Sequence, residues 1–180
     1  MNTLSSREIE KREIHLSGAG ILKGVEAGFL MSLEAEGEFR EYSREPVVTD
    51  GSEIKCFYYI VEGMLEVTKM NPATQKTHVL ASIGKGQCFG EMSFLTGAPA
   101  SADVAAGENV VVWVIPHEKL RQFIETKNGG VKLGLNIATL LAQRMQENNQ
   151  RLMGLGSTLQ FVSFMLKHSP GHLPEKDFVA

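Results

Sequence analysis

The residues with the most chemical potential lie in one stretch, Gly84 to Val104, which reads GKGQCFGEMSFLTGAPASADV. Three glycines, Gly84, Gly86 and Gly90, and one carboxylate, Glu91, crowd together there. Successive backbone N–H groups in such a loop can form an anion-binding nest. Phe89 to Phe94 can form one helical turn whose N-terminus points at the same anion. A carboxylate at that point suits a pair of sugar hydroxyls better than a phosphate. The spacing Gly84-x-Gly86-x-x-x-Gly90 matches neither the dinucleotide fingerprint nor the P-loop.

Other reactive residue types are scattered. His168 and His172, with Glu175 and Asp177, come near to a metal set, but Pro170-Gly171 prevents a helix from presenting both imidazoles. A solvated tail is the expectation there. His15, His78 and His117 are isolated, and there is no His-x-His pair and no Gly-x-Ser-x-Gly. Neither metal chemistry nor a serine nucleophile is expected, and the chain is read as non-enzymatic.

Short strands must hold this loop. Phe39–Ser43, Val47–Thr49, Ile54–Val61, Met64–Met70, His78–Ile83 and Val110–Ile115 read as strands. They are punctuated by Asp50-Gly51, Glu62-Gly63, Asn71-Pro72 and Gly84-Lys85-Gly86. That spacing predicts a sandwich, jelly roll or barrel and no doubly wound sheet. Trp113 is expected in the core. Ser5 and Glu8 form a capping box that predicts a helix ending near His15. Val25, Phe29, Leu30 and Leu33 recur at helical spacing. After Ile115, Pro116 is placed in the first turn of a helix carrying Leu120, Phe123 and Ile124, which Asn128-Gly129-Gly130 ends.

The last segment is the most regular. Ala138, Leu141, Met145, Asn148, Leu152, Leu155, Leu159, Val162 and Leu166 follow steps of three and four, a heptad seam with one polar member. It predicts a parallel homodimer in which Asn148 pairs across the axis. Packing back onto the chain's own barrel is the alternative. Gly154 and Gly156 interrupt the pattern and are candidate break points.

With the elements in place, the loop resembles the phosphate-binding cassette of the cyclic-nucleotide-binding domains found in catabolite-activator-type regulators and cyclic-nucleotide-dependent kinases. The resemblance is carried by Gly84-x-Gly86-x-x-Phe89-Gly90-Glu91 and Pro99. Gly51 through Gly63, with Phe57-Tyr58-Tyr59-Ile60-x-x-Gly63, resembles the early barrel strands. The long final helix is similar to the family's dimerisation helix. The resemblance implies a mainly β fold with flanking helices, a β-roll or jelly roll followed by a long C-terminal helix. It divides the chain into an N-terminal helical segment 1–24, a barrel domain 25–126, a dimerisation helix 131–168 and a tail 169–180. It also implies a pocket formed by Phe89, Gly90, Glu91, Met92, Ser93, Pro99, Ala100 and Ser101. Glu91 matches the residue that holds a ribose 2′-hydroxyl, and the backbone of Gly90 and Met92 lines the pocket. Ser101 matches a position that touches phosphate or a purine edge.

One departure falls on the main charged contact: the residue after Pro99, normally the phosphate-pairing arginine, is Ala100. If the strand there is regular, Asp103 shares a face with Ser101 and repels phosphate further. Lys85 is a candidate substitute as a point charge. A hydrogen bond to a charged group is worth about 1.5–3 kcal/mol, so the loss weakens a cyclic phosphate without abolishing it.

Composition is consistent with this reading. The chain has 180 residues, a formal net charge of −3 and 43% hydrophobic residues. No general attraction for nucleic acid or anionic membrane follows from that balance. Cys56 and Cys88 read as reduced, buried thiols, and no apolar h-region or spanning run is seen, so the expected location is the cytoplasm. The tail is short for a helix-turn-helix and is not basic, so no direct DNA binding is expected. No cofactor is expected beyond a possible cyclic AMP or cyclic GMP ligand. Two functions remain: a cyclic-nucleotide sensor of weakened or altered preference that signals in trans to an unidentified protein partner, or a degenerate domain serving as a dimeric interaction module.

Overall fold

The structure, a computed structural model, describes residues 1–127 and 129–168, with side chains through Gly154. Two antiparallel sheets form its centre. The five-stranded sheet has the order β1-β2-β9-β4-β7 and the four-stranded sheet the order β3-β8-β5-β6. The strands are β1 Asn2–Thr3, β2 Glu38–Tyr42, β3 Pro46–Val48, β4 Cys56–Glu62, β5 Met64–Asn71, β6 Lys76–Gly84, β7 Cys88–Phe89, β8 Asp103–Ala106 and β9 Val110–Pro116. Helices α1 Ser6–Lys11, α2 Ala27–Glu34, α3 Glu91–Thr96, α4 His117–Thr126 and α5 Gly130–His168 flank them.

Strand β9 explains its own unbroken apolar run. It pairs with β2 and β4 and is buried on both faces, so alternation is lost. Inward, Val110, Val112 and Val114 join Ile60, Leu65, Val104 and Ala106 in the core between the sheets. Outward, Trp113 lies in one row with Phe39 and Tyr59, and its Nε1 donates to the Glu34 carbonyl of α2 at 3.2 Å.

Several sequence expectations need correction. Helix α1 has both halves of the Ser5–Glu8 capping box but stops at Lys11, short of His15, and Glu13 takes a φ of 50°. Pro116 is not in the first turn of α4. It ends β9 with extended backbone and serves as the N-cap. Strands β1, β7 and β8 were absent from the sequence pattern because they have two to four residues and are defined by the neighbours they pair with. Gly154 and Gly156 do not interrupt α5, which is continuous over 39 residues.

Contacts divide the chain into a compact unit, Met1–Ala138, and a second unit that begins at Thr139. In the compact unit, α5 buries Leu133 and Ile137, and Asn136 donates to the carbonyls of Ile21 at 2.6 Å and Lys23 at 3.0 Å. In the second unit, Met145 and Leu152 are 67% and 66% exposed on the single chain. The seam positions Leu155, Leu159, Val162 and Leu166 fall where only the backbone is described, and the His172–Asp177 group lies outside the described residues. Among the described residues, no group of three or more His, Cys, Asp or Glu is placed to hold a metal, and no helix is long and apolar enough to cross a membrane.

Candidate functional site

The glycine-rich stretch separates into two turns with different neighbours. The first, Gly84 to Gln87, is closed on itself. Gly84 N–H donates to the Gln87 Oε1 at 2.8 Å, Gly86 N–H to the Ile60 carbonyl at 2.9 Å and Gln87 N–H to the Gly84 carbonyl at 3.0 Å. Those donors are spent inside the protein, so this turn is not an anion nest. The N-terminal segment covers it: a Cβ on Gly20 would stand 1.7 Å from the Gly86 oxygen. The Tyr59 hydroxyl lies 3.2 Å from the carbonyls of both Ser17 and Ala19, fixing that cover to β4. Lys85 is exposed on this covered turn and belongs to it, not to the cassette.

The second turn builds the cassette. Gly90 takes a φ of +83°, and a Cβ there would stand 2.7 Å from the Cys56 carbonyl, so glycine is required both for conformation and for close approach to β4. Helix α3 then places its first residue, Glu91, at 4% exposure, with Ser93 at 5%. Two buried polar side chains on one short helix, beside an otherwise apolar roll, are the chemical signature of the site. Met92 points out at 52% exposure, and Pro99 and Ser101 are also exposed. Gly97 closes α3 with a φ of +71°. The loop after it is held by its backbone, since Ala100 N–H donates to the Ser52 carbonyl and Gly51 N–H to the Ala100 carbonyl, each at 2.9 Å.

The roll interior behind the cassette is apolar. Phe89 stacks on Tyr58 with ring centroids 4.4 Å apart, and burial pushes the Tyr58 phenol up to about 12. Burial likewise raises the Cys56 thiol, keeping it protonated. Ala100 is packed in this core at 6% exposure, beside Phe89 and Val104. A methyl group therefore occupies the position where the resemblance implies a guanidinium. The foot of the cassette is tied to α4: Phe94 accepts a hydrogen bond at its carbonyl from Arg121 Nη2 at 3.0 Å, and the same guanidinium lies 5.2 Å over its ring. The His117 ring meets the Phe94 edge at 5.4 Å.

Strand β8 begins at Asp103, so Ser101 and Ala102 precede the regular strand, although burial alternates through them, with Ala102 buried and Ser101 exposed. Asp103 pairs with Thr68, opposite in sense to the inward Val104, and its Oδ1 accepts the Asp50 N–H at 2.9 Å. The carboxylate caps the loop whose Gly51 and Ser52 hold Ala100. Residues that sequence reading missed are Lys69, Asp50, Arg121 and His117. Lys69 had a usable signal, since it follows Leu65 and Val67 at period two on a strand that had been recognised.

Comparison with known proteins agrees with the geometry. The family described as the cyclic nucleotide-binding domain matches residues 40–127. A cAMP-dependent protein kinase regulatory subunit of Mycosarcoma maydis is 41% identical over 70 residues, 38% of this chain and 13% of that protein. This chain thus spans only a small part of that relative. A cyclic nucleotide-binding domain from Methylobacillus flagellatus superposes with a TM-score of 0.70 at 22% identity, covering 85% of this chain and 88% of that one. The Thermus thermophilus catabolite activator protein superposes with a TM-score of 0.69 at 23% identity, covering 77% and 63%. The Phe89-Gly90-Glu91 cassette and most strands of the two sheets fall within the residues that match the cyclic nucleotide-binding domain family, and the solved structures share this fold.

Proposed function

We propose that the chain is a non-enzymatic regulatory module that binds a cyclic nucleotide, cyclic AMP or cyclic GMP, with weakened or altered preference. It acts as a homodimer through α5 and signals in trans to a protein partner. The observation that carries this reading is Glu91, buried on α3 at the edge of an apolar roll. Glu91 stands at the cassette position that the family resemblance gives to the residue holding a ribose 2′-hydroxyl. The apolar stripe of Met145 and Leu152, exposed on the single chain, supports the dimer. Ala100, packed in the core at 6% exposure, favours the second reading, a domain that binds no nucleotide and serves as a dimeric interaction module.

Calorimetric titration of the chain with cyclic AMP and cyclic GMP separates the two. Heat with saturation supports the sensor, and none with either nucleotide supports the module. Sedimentation tests the dimer in both cases. Leu152→Asp places a charge in the seam and should convert a dimer to a monomer, whereas a parent that sediments as a monomer at tens of micromolar overturns it.

A further inference from the structure

Strand β5 pairs with β8 without a break in register, Leu65 with Ala106, Val67 with Val104 and Thr68 with Asp103. Leu65 and Val67 face the core between the sheets. Alternation therefore carries Lys69 onto the same face of the strand, at the end nearest the cassette loop, where its side chain is 46% exposed. Its Nζ donates to the Ser101 carbonyl at 2.7 Å and to Asp50 Oδ1 at 3.2 Å. Ser101 directly follows Ala100, so an ammonium sits beside the position where the cassette lacks its cation. An ammonium has three protons, and these two acceptors use two. The neighbouring Asp103 spends its Oδ1 on the Asp50 N–H and lies on the opposite face of β8 from Val104.

We propose that Lys69 is the anion-recognising residue of this site, attracting the phosphate of a bound cyclic nucleotide from strand β5 in place of a cassette arginine. This rests on the reading that the roll binds a cyclic nucleotide. The ammonium is a point charge without the bidentate fork of a guanidinium, so recognition is weaker and less selective in geometry. Asp50 competes for the same protons, which lowers affinity further.

The test titrates the full chain with cyclic AMP and with adenosine, which keeps the ribose hydroxyls and the purine but has no phosphate. Lys69→Met should weaken cyclic AMP by roughly ten- to a hundredfold and leave adenosine unchanged. Lys69→Gln, which keeps a donor without the charge, should give the same split. Lys69→Arg should retain cyclic AMP binding. Lys85→Met removes an equal charge from the covered turn and should change neither ligand. The proposal is overturned if Lys69→Met leaves cyclic AMP untouched. Equal weakening of both ligands also overturns it, because the lysine then only holds the loop. So does Lys85→Met if it has the same effect as Lys69→Met, because the contribution is then the overall charge. A parent that takes up neither cyclic AMP nor adenosine overturns the binding reading itself, and the role of Lys69 falls with it.

Discussion

Gly86 and Gly90 are near neighbours in the chain and share a φ of +83°, yet they face different surroundings. Gly86 is buried under Ala19 and Gly20, and the donors around it are consumed by Ile60, Gly84 and Gln87. Gly90 abuts the Cys56 carbonyl and starts α3, where Glu91 is held. The first turn fastens the N-terminal segment to the roll, and the second opens the helix on which Glu91 and Ser93 are buried. A glycine pattern alone does not separate an anchoring turn from a binding turn. The partners of the Gly84, Gly86 and Gln87 N–H groups identify the first turn as an anchor.

The comparison is broken most severely at the anchoring turn. Gly20 has a φ of +55°, and its Cβ would collide with the Gly86 carbonyl, which belongs to backbone and cannot move aside cheaply. Gly20→Ala should cost about 3 kcal/mol or more in chemical denaturation, combining strain at positive φ with a backbone clash. A loss below about 1 kcal/mol would mean that the cover lifts easily and that the turn is not an anchor.

Next in size are changes within the cassette, which should move affinity more than stability. Glu91→Gln keeps the shape of the side chain and removes its charge, and should weaken any cyclic nucleotide roughly ten- to a hundredfold by calorimetry. Ala100→Arg should raise affinity by about the same factor, because a guanidinium offers two parallel N–H bonds to the exocyclic oxygens. It should also lower the melting temperature, since Ala100 is packed in the core. Asp103→Thr, in contrast, should leave affinity unchanged, because that carboxylate is engaged by the Asp50 N–H. An affinity gain from Asp103→Thr alone would show that its charge reaches the ligand.

These expectations mark what was legible in the residues. The long strands and α5 were visible because period-two and heptad patterns depend only on which face is buried. The capping box of α1 was visible because Ser5 and Glu8 act within one turn. The two-residue strand β7 left no pattern, and its existence depends on Tyr58 and Tyr59 pairing with it from β4. In the site, Glu91 and Ala100 were legible as motif positions. The division of labour between the two glycine turns was not, since it depends on Gly20, far away in sequence. The start of β8 was hidden for a related reason: it is set by pairing with β5, not by Ser101 or Ala102.

A smaller effect is expected at the end of α3. Gly97 also has a positive φ, +71°, but a Cβ there would meet nothing within 4 Å. Gly97→Ala should therefore cost only the left-handed conformation, about 1 kcal/mol by denaturation. Comparing it with Gly20→Ala isolates the clash from the strain. Equal costs would mean that conformation alone accounts for both.

The smallest expected effect is a dependence on pH. His117 sits at the foot of the cassette, with its Nε2 buried and, among the described residues, without a hydrogen-bond partner. Burial holds its pKa below the ordinary 6.5, against the opposing pull of the Cys56 and Gly90 carbonyls, and the nearby Arg121 guanidinium lowers it further. The unfolded chain then binds a proton more readily than the folded one. The stability linked to His117 is complete above pH 6.5 and is lost as pH falls from there through the folded pKa. Melting temperatures measured from pH 8 to pH 5 should therefore decline more steeply for the parent than for His117→Asn, which cannot titrate in that range. Lys85→Met, on the anchoring turn, should follow the parent curve. Parallel curves for the parent and His117→Asn would show that the imidazole accepts its proton in place, and that the foot of the cassette is more open to water than the packing around Phe94 implies.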